Sequence, residues 1–385
     1  MKRFIVMLIT LLFITALASG CNAPGAAGQP AGPGGPPAGG GISIVCTIFP
    51  QYDWVRQILG DEATGKDLTL LQGSKVDLHN YQPSVADIVK LSTCDLFIYI
   101  GGESDKWADA ALKQSENPNM VTIRLMDLLG ESEKHSEGAV GIIQDEDDHD
   151  DGGDDHDDDH DDGGDDHGDG DDHDDSEDHD DDHDDGDDDH GDDHGDDHDD
   201  GGEHHHSEFD EHVWLSLRNA AVFCKAIADE ISALDPGNAG TYAANLAAYL
   251  EKLSALDDEY REVVSAASTR VLLFGDRFPF RYLAEDYGLE FYAAFPGCSA
   301  ETEASFQTIV TLAERVDEHN LRFVMVTEST DQSIARTIIS NTASGDQRIL
   351  VLDSMQSATT TDLANGKNYL SLMESNLNVL REALN

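Results

Sequence analysis

The sequence predicts an α/β protein of two lobes, each with a mainly parallel sheet covered by helices, joined by one long spine helix. Three observations carry this. Short continuous apolar segments alternate with helical periodicities in two separate blocks, the pattern of parallel strands covered on both faces. Between the blocks runs a single uninterrupted amphipathic stretch. The negative charge, finally, is confined rather than spread: the formal net charge is -56 over 385 residues, yet 40 of the 79 acidic side chains fall in 145–211, where no Lys or Arg occurs. Removing those 40 leaves about -16, an ordinary acidic domain. No basic cluster is present to grip nucleic acid.

In chain order, Met1-Lys2-Arg3 and the apolar run Phe4 to Ile14 form a basic cap and a hydrophobic stretch too short to stay across a bilayer, so residues 1–21 read as a secretory signal peptide. The segment ends in Leu17-Ala18-Ser19-Gly20-Cys21, which resembles a bacterial lipobox and implies lipidation at Cys21. That places the protein at the bacterial cell membrane, lipid-anchored on its extracytoplasmic face. Residues 22–41 are almost entirely Gly, Pro and Ala, a flexible tether. The other cysteines, Cys46, Cys94, Cys224 and Cys298, form no CxxC pair; Cys46 and Cys94 fall in strand-like runs and Cys224 in an apparent helix, which favours core packing of free thiols.

The first lobe, 42–134, contains strand-like Ile42–Ile48, helix-like Tyr52–Leu59, apolar Leu68–Leu71, helix-like Val85–Leu91 and strand-like Leu96–Ile100. Residues 135–209 are dominated by Asp-Asp-His and Asp-His-Asp-Asp units broken by Gly, ending in Glu203-His204-His205-His206. The repeats lack the apolar residues needed to offset ordering entropy, so this is predicted to be a disordered loop. Imidazoles interleaved with carboxylates suit weak, exchanging capture of transition-metal ions, each site weakened by the entropy of closing a flexible loop. Residues 210–236 complete the first lobe. In 237–268 the apolar residues Tyr242, Leu246, Tyr249, Leu253, Leu256, Tyr260 and Val263 lie on one helical stripe, a spine roughly 40 Å long at 1.5 Å per residue. The second lobe, 269–385, alternates strands at Val271–Phe274, Leu289–Phe295, Phe323–Val326 and Ile349–Leu352 with helices at Phe280–Asp286, Phe306–Val316 and Ile334–Ser340. A rigid spine predicts limited hinge closure, with the ligand in the cleft at the strand C-termini.

The motifs at those strand ends are specific. Thr47-Ile48-Phe49-Pro50-Gln51-Tyr52, Asp77-Leu78-His79-Asn80-Tyr81-Gln82-Pro83 and Asp210-Glu211-His212-Val213-Trp214 resemble the first strand, the D-P-H-x-Y-x-P loop and the D-P-H-x-W loop of the zinc and manganese solute-binding lipoproteins of ABC importers. The acidic His-rich insert before the second motif adds to the resemblance, which covers Ile42 to Leu384. It implies capture of Zn2+, with Mn2+ the alternative, and delivery to a membrane ABC permease and its ATPase. It also implies that His79 and His212 are the first two metal ligands. At the third position strict register falls on Arg277, which stays protonated and offers no acceptor, so the neighbouring Asp276 is the expected substitute, with an ion pair to Arg277 or Arg281 as its structural alternative. For the fourth, Val326-Thr327-Glu328-Ser329-Thr330-Asp331 resembles an E-S-x-x-D loop and leaves Glu328 and Asp331 in competition, either of which could instead cap the following helix. Cys298 is a weaker candidate, since Ser299-Ala300-Glu301-Thr302 also reads as a helix start. His135 and His319 lie in polar stretches and gain no such support.

A mixed nitrogen and oxygen donor set accepts zinc well and manganese or iron also; the insert favours zinc. Imidazoles must be neutral to bind, so affinity is expected to weaken as pH falls through the histidine range near about 6.5. A metallohydrolase would need an open coordination position and a general base, and no HExxH is present, so the expectation is a protein that is not an enzyme. A surface protein devoted to metal buffering or adhesion is the main rival.

Overall fold

The computed structural model describes residues 41–73, 78–130, 209–297 and 303–385. The signal peptide, Cys21, the tether, Asp77, His135, the body of the His-rich insert and Cys298 lie outside them.

The first apolar block folds into β1 (Ser43–Cys46), β2 (Asp67–Leu70), β3 (Leu96–Tyr99) and β4 (Val121–Arg124), all parallel, in the order β2-β1-β3-β4. Alternate residues face opposite sides: Ile44, Cys46, Leu96 and Ile98 enter the main core, while Val45, Phe97 and Tyr99 meet Leu91 and Cys94 on the other face. Helix α1 (Phe49–Leu59) begins where Gln51 Oε1 accepts from the Thr47 and Ile48 amides at 2.9 and 3.3 Å. Helix α2 (Val85–Thr93) starts with a reciprocal Ser84–Asp87 cap and packs against α3 (Lys106–Leu112). Cys46 and Cys224 are buried free thiols as expected; Cys94 is also buried, at the C-terminal cap of α2 rather than in a strand.

The second lobe repeats the plan. Strands β5 (Val271–Phe278), β6 (Glu290–Pro296), β7 (Phe323–Thr327) and β8 (Arg348–Leu352) are parallel in the order β6-β5-β7-β8. A bulge between Phe274 and Arg277 disturbs β5 at Gly275 and Asp276. Helices α7 (Phe306–Glu318) and α8 (Ser333–Asn341) bury Leu312, Ala335 and Ile338 against one face of the sheet.

Between the lobes lie α4 (Leu217–Leu234) and the spine α5 (Ala239–Ser265), followed in the second lobe by the short α6 (Arg281–Tyr287). The spine's buried stripe runs Tyr242, Tyr249, Leu253, Leu256, Tyr260 and Val264, so Val264 takes the deepest position at its end and Val263 is only half-buried. After the small α9 (Thr360–Ala364), the C-terminal α10 (Tyr369–Ala383) crosses back onto α5 and touches α1. As a result one hydrophobic cluster runs from Ile44 and Trp54 through Trp214 and Tyr260 to Phe274 and Leu377. The two sheets therefore share a core.

Candidate metal site

Two loops of the first lobe bring their histidines together. His79 sits on a single helical turn, Leu78–Asn80, between β2 and α2, anchored by the buried Leu78 and by the Tyr81 hydroxyl, which donates to Asp87. His212 follows the buried residues Asp210 and Glu211 and precedes the turn Val213–Leu215, whose three side chains are buried. The two imidazoles approach edge to face with ring centroids 5.5 Å apart. Their sequence separation is 133 residues, so this convergence is the work of the fold.

Each ring is held at Nδ1. For His212 the partner is Asp210 Oδ1 at 2.7 Å, which also accepts the His212 amide at 2.9 Å. For His79 it is Ser104 Oγ at 2.7 Å, on the helical turn Glu103–Asp105 that follows β3. The Ser104 amide in turn donates to Glu211 Oε1 at 2.9 Å, so the two histidine loops are tied through one serine. Glu211 lies flat against Gly102, where an added Cβ would come within 2.3 Å of its side chain. Burial raises the Glu211 carboxyl, and the Ser104 hydroxyl and amide oppose the rise. Next to it, burial pushes Asp105 up to about 7; the Glu211 charge adds to the effect, and the Ile100 and Gly101 amides oppose it.

His212 also faces the second lobe. A Cβ on Gly297, just past β6, would stand 3.1 Å from His212 Cε1 and 2.8 Å from the Phe278 carbonyl, so a hydrogen at that position lets the ring approach the strand ends. The Tyr282 hydroxyl donates to the Asp210 carbonyl, and Trp214 Nε1 donates to the Ser354 carbonyl.

The second-lobe carboxylates are each engaged locally. Asp276, buried in the β5 bulge, accepts from the Thr327 amide at 2.9 Å and its hydroxyl at 2.5 Å, both on Oδ2. Glu328, the next residue after Thr327, accepts from the amide and hydroxyl of Ser354 and from the hydroxyl of Ser357. Burial and the Glu328 charge push its neighbour Asp353 up to about 6. Asp331 is exposed and accepts the Ser333 amide at 2.8 Å at the start of α8; the Ser333 hydroxyl first, and then this amide, hold its carboxyl below the usual range. His319 ends α7 and contacts the Tyr292 hydroxyl, away from the strand ends. Among the described residues, no three His, Cys, Asp or Glu side chains gather closely enough to hold one ion. The chain thus pairs His79 with His212, while Asp276 is held by Thr327 and Glu328 by Ser354 and Ser357, without joining that pair.

The roles of Ser104, Glu211 and Gly297 were not expected from the sequence. Only Glu211 left a signal, standing where the D-P-H-x-W pattern has proline.

Comparison with known proteins agrees with this architecture. The family model described as the periplasmic component A of a zinc-uptake complex, ZnuA, matches residues 44–383. The zinc-binding lipoprotein AdcA of Streptococcus pneumoniae is 29% identical over 346 residues, which cover 90% of this chain but 56% of that protein. The chain therefore spans little more than half of that relative. The high-affinity zinc uptake system protein ZnuA of Bacillus subtilis is 25% identical over 89% of this chain and 88% of its own. Among solved structures, the Zn(II)-bound ZnuA-like domain of S. pneumoniae AdcA superposes with a TM-score of 0.58 at 26% identity, covering 90% of this chain and 99% of that domain.

Proposed function

This chain belongs to the family of periplasmic zinc-uptake components, and from that premise we propose that it is an extracytoplasmic solute-binding lipoprotein, anchored through Cys21, that captures Zn2+ between its lobes and delivers it to an ABC permease and its ATPase. The observation that carries the reading is the approach of His79 and His212, drawn from distant loops to 5.5 Å and each fixed at Nδ1. Two imidazoles so held offer borderline nitrogen donors, suited to zinc and less selective against manganese. The names of the relatives favour zinc over manganese as the cargo.

Asp276 is the proposed third ligand. Thr327 holds it at one oxygen, which turns a buried carboxylate in a fixed direction at the strand ends. Glu328 and Asp331 are the alternatives for a fourth. Glu328 would have to exchange its serine partners for the ion, and Asp331 would have to leave its helix cap. The test is zinc titration of the protein beside its His79→Ala, His212→Ala and doubly substituted forms. Tight binding is expected to disappear in the double variant, and unchanged affinity there would remove both histidines from the site.

A further inference from the structure

The Nδ1 atoms of the two histidines meet oxygens of different kinds. On His212 the partner is the Asp210 carboxylate at 2.7 Å, which accepts only, so the shared proton belongs to Nδ1 and the ring lone pair to Nε2. On His79 the partner is the Ser104 hydroxyl at 2.7 Å, which can donate or accept. That bond alone permits either tautomer, and only the one protonated at Nδ1 leaves Nε2 able to hold a cation. The outcome depends on where the hydroxyl sends its single proton. Glu211 Oε1 accepts the Ser104 amide at 2.9 Å, which brings the carboxylate to the serine whose hydroxyl holds His79. Glu211 is 1% exposed and pressed against Gly102, so it has no room to turn away.

We propose that Glu211 is a positioning residue that sets the tautomer of His79: its carboxylate accepts a hydrogen bond from the Ser104 hydroxyl, Ser104 Oγ accepts from Nδ1–H of His79, and Nε2 keeps its lone pair for the ion. The consecutive residues Asp210 and Glu211 thereby orient both histidines, one directly and one through a serine. A carboxylate placed behind a ligating imidazole also raises its basicity as a donor. Because Glu211 acts on the Nδ1 edge of His79, it supports the site without joining it. Proline, which the resembled motif carries here, has no acceptor side chain and could not do this. The inference rests on the reading of His79 and His212 as zinc ligands, and its test separates the two.

The measurement is 15N NMR of the imidazoles in the metal-free full chain at about pH 8, where histidine is neutral, with the His79 signals identified by their loss in His79→Ala. The unsubstituted chain should show His79 protonated at Nδ1. In Ser104→Ala and in Glu211→Ala, His79 should move toward the Nε2-protonated form while His212 keeps its signals. Zinc affinity should fall by about 10- to 100-fold in each. The double variant should be no weaker than the weaker single, because the two residues act in series. If Glu211→Ala does not fold, Ser104→Ala, which leaves the amide bond to Glu211 in place, carries the test alone. An Nε2-protonated His79 in the unsubstituted chain, or unchanged His79 signals in Ser104→Ala or in a folded Glu211→Ala, overturns the proposal. Undiminished zinc affinity in His79→Ala would instead defeat the ligand reading, and the tautomer measurement would still decide the role of Glu211.

Discussion

Gly297 places a steric demand on the site from the side of the second lobe. A methyl group there would press on His212 Cε1 and on the Phe278 carbonyl. Backbone cannot yield easily, so the ring should move instead. Gly297→Ala is therefore expected to weaken zinc binding by about tenfold or more, since a displaced ligand costs orientation even when the fold survives. Isothermal titration beside a thermal melt checks this; equal affinity in a folded variant would show that His212 is not confined from that side. The proposed second-lobe ligands separate by the same measurement, because Asp276→Ala should cost more affinity than Asp331→Ala, whose carboxylate caps a helix at the surface. The histidines were legible in the sequence because each sits in a local motif with Tyr-x-Pro or Val-Trp beside it. Ser104 was not, because a serine after Gly-Gly-Glu carries no local mark. Its importance comes from contacts to His79, 25 residues away, and Glu211, 107 residues away. Asp331 was ambiguous for a local reason: the same short carboxylate serves a helix start or an ion.

Two joints hold the helical elements in place, and each can be tested. At the turn into the spine, Lys66, Tyr242 and Asn238 all bond to Asp235 and hold its carboxyl down to about 2. A carboxylate depressed below its unfolded value of about 3.9 contributes stability that is complete above that value and lost as pH falls toward the folded value. Asp235→Asn should thus cost about 1–2 kcal/mol at neutral pH, and the difference should close between about pH 4 and pH 2; chemical denaturation across that range measures it, and a gap that persists at pH 2 contradicts the assignment. At the other joint, Tyr369 donates its hydroxyl to the Trp214 carbonyl at 2.7 Å, tying α10 to the His212 loop, and its amide to Asp53 of α1 at 3.0 Å. Tyr369→Phe leaves a buried carbonyl without its donor, a loss of about 1–3 kcal/mol. Most elements could be read from sequence because parallel strands buried on both faces are continuous apolar runs. Strand β4 escaped because it is an edge strand with only Ile123 buried, and α10 because much of its burial comes from the spine α5, far away in sequence.

At the scale of the whole molecule, a shared core and a common knot at residues 210–218 oppose large opening of the cleft. Asp210, Trp214, Ser216 and Arg218 bond to Tyr282, Ser354 and Asp286 across the lobes, and Tyr369 reaches back to Trp214. Such a body is expected to change little when it takes an ion, with backbone shifts of about 1 Å, so ion supply rather than domain motion should govern the rate of capture. The insert bears on that supply. The insert's last histidine, His206, stands only six residues before His212 in the sequence, so an ion held at the insert's end is tethered to the histidine pair by a short segment. With no Lys or Arg from 145 to 211, the segment also concentrates cations by charge. Deleting Asp145–His206 should therefore remove many weak sites, leave about one tight site, and slow zinc association by about tenfold at low salt without changing dissociation. The rate difference should shrink as ionic strength rises and the Debye length falls to about 8 Å. Stopped-flow capture with and without the segment tests this. Loss of nearly all bound zinc on deletion would mean that the chain is a metal buffer, with the cleft as an accessory; a single tight site with slowed loading would assign storage and capture to different parts of the same chain.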